Sequence, residues 1–207
     1  MSATGTGNGK VVVNRSMSLD GFIAGPDHAM DWIFDFVAPD EFPELAAATG
    51  AMLIGRRTHE VGNRMRADNP DGTDYPFSGP VFVLTHRPPE PPDPAVTFLT
   101  GDIGEAVATA RRAAGGKNLE ILGADVAGQC LRRGLVDEIL VYVLPVLLGD
   151  GIRFSPPASP GRTWNRSTAR GRAPSPSSGS ASPGSPGLTR PGGTHSGGCD
   201  ADRGAIG

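Results

Sequence analysis

Three turns in this chain have residue types that suit phosphate binding. The first is Gly123-Ala124, which follows the apolar segment 118–122 and precedes a helical pattern that begins near Asp125. The first N–H groups of a helix lack partners within the helix, and the helix dipole favours negative charge there. A strand, a glycine turn and a helix start therefore predict an anion site, for which a nucleotide pyrophosphate is the natural ligand.

The other two turns carry arginine. Gly55-Arg56-Arg57-Thr58 follows the apolar segment 51–54, and Thr85-His86-Arg87 follows the segment 80–84. Arginine binds phosphate in a bidentate manner, although each turn taken alone is equally an ordinary capped helix start or polar strand end. Three such turns at three strand ends are harder to attribute to chance. Two arginine-bearing turns beside a pyrophosphate turn favour NADPH over NADH.

Two acids and three aromatic residues are candidates for substrate contact. Asp20 and Asp31 could protonate or orient a substrate, and both are equally suited to structural roles, in a tight turn and in helix capping respectively. A flat substrate ring could pack against Phe22, Trp32 or Phe36, which are equally suited to the core. These five residues form the predicted substrate side of the site.

The composition limits the class of protein. The chain has 207 residues, enough for one domain, and a net charge of −3. An acidic body argues against nucleic acid or an anionic membrane as a partner. The histidines lack metal-ligand spacing and Cys130 falls on an apolar helical face, so we expect no metal and no disulfide framework. Without a signal-peptide pattern or a long apolar run, a cytoplasmic protein is expected.

The elements that must position these residues alternate along the chain. Strand patterns occupy residues 10–17, 22–24, 51–54, 80–84, 95–99, 118–122 and 139–144, and helical patterns occupy residues 27–36, 39–49, 56–64, 102–114 and 125–133. This alternation predicts an α/β domain, a three-layer sandwich with a mostly parallel central sheet. The uninterrupted apolar run 139–144 is typical of a strand that is covered on both faces.

The composition changes near residue 155. Residues 155–207 are rich in Gly, Ser, Pro and Arg and poor in large apolar residues, so we expect a disordered tail after a domain at 10–154. Residues 1–9 are expected to be flexible. The tail is either a natural disordered segment or an out-of-frame translation of GC-rich coding DNA. The change falls inside a strand-forming motif, which favours the second interpretation.

Taken in order, the motifs resemble the dihydrofolate reductase superfamily, in particular the reductase domain of the bifunctional riboflavin-biosynthesis deaminase–reductase. The resemblance covers about residues 10–154 and is carried by SMSLDGFIA at 16–24, IGRRT at 54–58, VLT at 83–85, Gly123-Ala124, GLVDE at 134–138 and PVLLGDG at 145–151. The chain departs from the family pattern in two places. It has Gly-Ala where Gly-Gly is usual, and the tail begins where a closing β-hairpin is expected, so those closing strands are predicted to be missing.

The resemblance implies an NADPH-dependent reductase that transfers hydride to a small heterocycle such as a pterin or an aminopyrimidine, in a family that commonly dimerises. It implies contacts to the adenosine-side phosphates from Gly55, Arg56, Arg57 and Thr58, to the 2′-phosphate and adenine from Thr85 and Arg87, to the pyrophosphate from Gly123, Ala124, Asp125 and Val126, to the nicotinamide from Ser16 and Ile23, and to the substrate from Asp20 and Trp32. Two alternatives stay open: a nucleotide-binding module without catalysis, and a defective product with an uncovered sheet edge.

Overall fold

The computed structural model describes residues 9–34, 36, 43–68 and 77–154. The strands in this part of the chain are β1 (Val11–Ser18), β2 (Phe22–Ala24), β3 (Thr49–Gly55), β4 (Val81–Leu84), β5 (Thr97–Leu99), β6 (Asn118–Leu122), β7 (Glu138–Leu144) and β8 (Ile152–Arg153). The helices are α1 (Pro43–Ala48), α2 (Arg56–Asp68), α3 (Ile103–Ala113) and α4 (Ala124–Arg132), with 3-10 turns at Pro26–His28 and Asp31–Ile33.

The described strands form one parallel sheet and one small antiparallel pair. The parallel sheet has the order β5-β4-β3-β6-β1-β7, and β2 pairs with β8. After β5 the chain returns to insert β6 between β3 and β1, so the strand order reverses at the centre of the sheet. Ligands of α/β proteins bind beyond the carboxyl ends of the strands at such a reversal. The predicted mostly parallel sheet is confirmed.

Side-chain alternation along the sheet separates two apolar layers. In β3, Leu53 is fully buried in a cluster with the apolar faces of α3 and α4, whereas the neighbouring Met52 belongs to a second cluster on the opposite face. On that second face, His59 of α2 packs edge-on against Phe98 of β5, with ring centroids 5.6 Å apart. Helices therefore cover both faces of the sheet, as predicted for a three-layer sandwich.

The segment 27–36 does not form the predicted helix. It contains two separate 3-10 turns, and the backbone of Asp27 and His28 adopts positive φ angles of 54° and 62°. A right-handed helix excludes such angles, so helical periodicity of the apolar residues was not sufficient here. The helix predicted at 39–49 is described only from Pro43, and the predicted terminal segments 1–9 and 155–207 fall outside the described residues apart from Gly9.

The strand predicted at 139–144 exists but is not covered on both faces. β7 is an edge strand among the described strands, and most of its residues are only half-buried. Val143 is 53% exposed. β7 pairs with β1 along its length, on the inner side of this edge position. Among the described residues, no helix has the length and apolar character needed to cross a membrane.

Candidate functional site

Two of the three predicted phosphate turns meet at the centre of the sheet. β3 and β6 are hydrogen-bonded neighbours, and Ile54 pairs with Leu122, so the turns that follow both strands lie side by side. Gly123 has a φ of 94°, and a Cβ atom at this position would lie 2.5 Å from Oγ1 of Thr58. Only glycine fits this conformation and this close approach. The contact joins the glycine turn to the arginine-bearing helix start.

The start of α4 presents free backbone N–H groups. The first intrahelical bond runs from the N–H of Ala127 to the carbonyl of Gly123 at 3.1 Å, and no side chain caps the helix. The N–H groups of residues 124–126 precede that bond and have no acceptor within the helix. Asp125 lies in the first turn, where its exposed carboxylate accepts a bond from Nε2 of Gln129 at 2.9 Å. The arrangement suits an anion.

The arginine turn borders a groove on α2. The groove has a volume of about 240 Å³ and is lined by His28, Arg56, Arg57, Glu60, Val61 and Arg64. Both arginines of the turn are exposed. Arg56 pairs with Glu60 one helical turn on, while Arg57 makes no ion pair within the described residues. Arginines at the rim of a groove beside a helix start can hold a phosphate in bidentate fashion.

The third turn is built around a threonine. β4 lies next to β3, so Thr85 follows a strand that neighbours the arginine turn. Thr85 is buried, its N–H donates to the carbonyl of Leu99 at 3.0 Å, and its Oγ1 accepts a bond from the N–H of Arg87 at 3.1 Å. The side chain of Arg87 is exposed. The fold thus brings all three predicted turns to one edge of the sheet, which we call the phosphate edge (residues 55–58, 85–87 and 123–126).

A contact that the sequence did not reveal ties the third turn to α2. Nε2 of His59 lies 3.0 Å from Oδ2 of Asp93, in the loop between β4 and β5. The same carboxylate accepts a bond from the N–H of Ala95 at 2.9 Å. These bonds lower the pKa of Asp93 below its usual value, the backbone bond first and the His59 bond second. His59 therefore connects the arginine helix to the loop that follows Thr85.

Buried polar residues within β1 and β6 were also missed. Glu120 is 1% exposed, and its carboxylate accepts bonds from Nδ2 of Asn14 at 2.9 Å and from Oγ1 of Thr49 at 3.3 Å. Arg15 is 8% exposed, and burial lowers its pKa to about 10, while Glu120 acts in the opposite direction. The signal in the sequence was a charged residue at an interior position of an apolar strand, which requires partners once it is buried.

Asp20 connects two loops at the carboxyl end of β1. Its Oδ1 accepts bonds from the Ser18 hydroxyl at 2.6 Å and the Leu148 N–H at 3.1 Å, and its Oδ2 accepts one from the Gly149 N–H at 2.7 Å. The bond from Ser18 is the main cause that lowers the pKa of Asp20 to about 2. Asp20 is therefore an ionised acceptor near neutral pH.

The remaining predicted contacts lie on and around β2. Ile23 is buried, and Ser16 is half-buried at the end of β1. Phe22 is 4% exposed, and the guanidinium carbon of Arg153 lies 4.5 Å from the centroid of its ring. That stacking covers the ring, so Phe22 packs as a core residue between β2 and β8. β1, which holds Ser16, contacts β2, which holds Ile23, and Arg15 beside Ser16 bonds to the Gly123 carbonyl.

The aromatic and acidic residues after β2 are more open. Asp31 is exposed, and Trp32 and Phe36 are half-buried. Nε1 of Trp32 is a buried donor atom with no hydrogen-bond partner among the described residues. The half-exposed indole of Trp32 could pack its face against a heterocyclic ring. Within the described residues, no group of three or more His, Cys, Asp or Glu side chains could hold a metal ion.

A parallel sheet of this order, with helices on both faces and a glycine turn and an arginine turn at its central strand ends, has the α/β three-layer fold of the dihydrofolate reductase-like class. Residues 9–164 match the model of the RibD C-terminal domain. The chain belongs to this family.

The relatives agree with that assignment. The chain is 30% identical over 148 residues to YwjB, an uncharacterized protein of Bacillus subtilis (strain 168), covering 69% of this chain and 80% of YwjB. It is 29% identical to the riboflavin biosynthesis protein RibD of Corynebacterium ammoniagenes, covering 69% of this chain and 44% of that protein. The structure matches that of a protein assigned to riboflavin biosynthesis from Shewanella sp. PV-4 with a TM-score of 0.63 and 26% identity, covering 75% and 88% of the two chains.

Proposed function

We propose that this protein is an NADPH-dependent reductase that transfers hydride to a small heterocycle of the pterin or aminopyrimidine type. The observation that carries the proposal is the close approach of Gly123 to Thr58, which joins a pyrophosphate-type turn to an arginine-bearing helix start. The names of the RibD relatives, which include riboflavin biosynthesis, point to a substrate of the same chemical class.

In this proposal the phosphate edge holds the nucleotide. The free N–H groups at 124–126 bind the pyrophosphate, and Arg56, Arg57 and Thr58 hold the phosphates on the adenosine side. Thr85 and Arg87 lie near the 2′-phosphate and the adenine. When bound, NADPH supplies the hydride, and the protein orients the nicotinamide between Ser16 and Ile23.

The substrate side is formed by the segments after β1 and β2. We assign Asp20 to positioning rather than to proton donation, because a carboxylate that accepts three bonds has no proton to give near neutral pH. Its bonds hold the β1–β2 turn against the loop at 145–149. Asp31, Trp32 and Phe36 are the groups that remain for orienting a ring. The proton would then reach the substrate through water or Asp31.

Cofactor preference tests this proposal. Oxidation of NADPH and of NADH is followed with aminopyrimidine and pterin substrates, for the wild type and for Arg87→Ser, which alters the turn assigned to the 2′-phosphate. We expect the variant to raise KM for NADPH by about tenfold and to leave KM for NADH nearly unchanged, since only NADPH carries the additional phosphate. Arg112→Ser, on the exposed face of α3, is the matched control and is expected to behave as wild type. Equal effects on both cofactors would contradict the assignment of Arg87 to the 2′-phosphate.

A nucleotide-binding module without catalysis is the second candidate. It is favoured by one observation: the best-placed acid, Asp20, is committed as an acceptor. Tight NADPH binding without turnover on any pterin, pyrimidine or quinone would select this alternative. The same assays distinguish an inactive product of a frameshift, which would bind no nucleotide.

We also propose a cytoplasmic homodimer, as the family resemblance implies. Its support is the half-exposed apolar strand β7, which lies at the edge of the sheet that the described strands form, where strands of two chains can pair. Sedimentation or light scattering at several protein concentrations tests it. A monomer at all concentrations would contradict the proposal.

A further inference from the structure

Arg15 has an unusual place relative to the phosphate edge. It is the one arginine that is buried among the described residues. In the register of β1 and β6, Val13 pairs with Ile121, so a step of two residues along both strands places Arg15 beside Gly123. The side chain therefore lies behind the glycine turn, on the protein side of the proposed pyrophosphate site.

The guanidinium fixes the direction of the turn. Its Nη1 donates to the carbonyls of Asn14 at 2.7 Å and Ile121 at 3.0 Å, and its Nη2 donates to the carbonyl of Gly123 at 3.0 Å. The same Gly123 carbonyl also accepts the first bond of α4. In a trans peptide the C=O and the following N–H point in opposite directions. A Gly123 carbonyl held toward Arg15 therefore turns the N–H of Ala124 outward to the site.

The positive charge of Arg15 also favours an anion at the Gly123 turn. A buried cation interacts more strongly with a nearby anion than an exposed one does, because little water screens it. The hydrogen bonds of Arg15 go to uncharged carbonyls, while the nearby Glu120 carboxylate, which bonds to Asn14 and Thr49, offsets part of its charge. Because Arg15 bonds directly to the Gly123 carbonyl, its positive end lies next to the turn and favours an anion on the other side.

We propose that Arg15 is a positioning residue for the cofactor pyrophosphate, which orients the Gly123 turn and adds a buried positive charge behind it. This inference rests on the proposed NADPH site. It assigns a role to a residue outside the three turns. Binding of the pyrophosphate is expected to depend on Arg15, and binding of the adenosine side is not.

Two ligands separate that role from a general loss of structure. NADPH contacts the whole phosphate edge, whereas adenosine 2′-monophosphate lacks the pyrophosphate and probes the arginine turns alone. We expect Arg15→Met to raise the Kd of NADPH by about tenfold or more and to leave that of adenosine 2′-monophosphate within about twofold, because a charge-assisted contribution of this size is lost only at the pyrophosphate.

Arg15→Lys and Arg111→Met complete the design. Lysine keeps the charge but not the three-carbonyl geometry, so we expect a partial effect of about threefold on NADPH, and this variant carries the test if Arg15→Met does not fold. Arg111 also donates to a backbone carbonyl, that of Gly9 at 2.9 Å, but at the opposite edge of the sheet. Arg111→Met is expected to bind both ligands as the wild type does.

The outcomes are distinct. If the wild type binds no NADPH, the proposed function fails. If the wild type binds NADPH and the folded Arg15 variants bind it equally well, the inference on Arg15 fails while the proposed function stands. Equal weakening of both ligands by the Arg15 variants, seen also in circular dichroism as a changed fold, would show a general structural role and would overturn the inference too.

Discussion

At the scale of single residues, Asp20 shows how one side chain can serve structure where chemistry was expected. The motif around it predicted an acid on the substrate side, but the tight turn was equally evident in the sequence. The structure adds Leu148 and Gly149 as partners from a distant loop. Those contacts could not be predicted, because nothing local links residue 20 to residues 148 and 149.

The pKa of Asp20 makes a prediction for stability against pH. Its folded pKa, about 2, lies below the ordinary value of 3.8, so the carboxylate stabilises the fold above that ordinary value and this contribution is lost as the pH falls toward 2. We expect Asp20→Asn to lower Tm near neutral pH, with the difference from the wild type vanishing in acid. Asp150→Asn, which removes a carboxylate that bonds only within its own turn, is the control. A difference in Tm between Asp20→Asn and the wild type that stays constant with pH would refute this role of the Asp20 carboxylate.

Gly123 gives a second prediction at this scale. Gly123→Ala must place a Cβ only 2.5 Å from Oγ1 of Thr58, whereas Gly115→Ala, also at positive φ, meets no atom within 4 Å. We expect urea unfolding to show a loss of about 1 kcal/mol for Gly115→Ala from backbone strain alone, and about 3 kcal/mol for Gly123→Ala from strain and overpacking together. NADPH binding should weaken only in Gly123→Ala. Equal losses in the two variants would argue against the close approach.

At the scale of elements, local signals succeeded where a cap or a turn residue marks a boundary. β6 has the predicted bounds, and Asp102 caps α3 by accepting a bond from the N–H of Gly104 at 2.7 Å. They failed at 27–36, where the described residues form only short 3-10 turns and Asp27 and His28 have positive φ angles. The prediction that both faces of β7 are covered was also wrong, because an apolar run alone does not indicate whether a strand is central or at the edge of a sheet.

The bond between His59 and Asp93 makes a prediction about the loop after β4. We expect Asp93→Ala to speed amide hydrogen exchange at residues 93–96 by about tenfold or more, since both bonds of that carboxylate are lost, while exchange in α3 and α4 stays unchanged. Asp125→Ala, which removes an exposed carboxylate bonded only to Gln129, is the control for a loss of charge. Unchanged exchange in the loop would show that the bond does not hold it.

At the scale of the whole molecule, the class of fold could be predicted from the alternation of strands and helices, but the strand order could not. The insertion of β6 between β1 and β3 depends on contacts between residues far apart in sequence. That insertion brings Gly123 beside Thr58 and Arg15 behind Gly123. The site was therefore predictable as three separate turns, and its assembly only from the structure.

The central claim is that NADPH binds across the phosphate edge. The most direct measurement is a titration of isotopically labelled protein with NADPH, followed by the backbone amide resonances. We predict shifts at residues 55–58, 85–87 and 123–126 at submillimolar NADPH, with Gly50 and Gly79 at the opposite strand ends unaffected. Absence of shifts at these concentrations, or shifts confined to the opposite edge, would contradict the account.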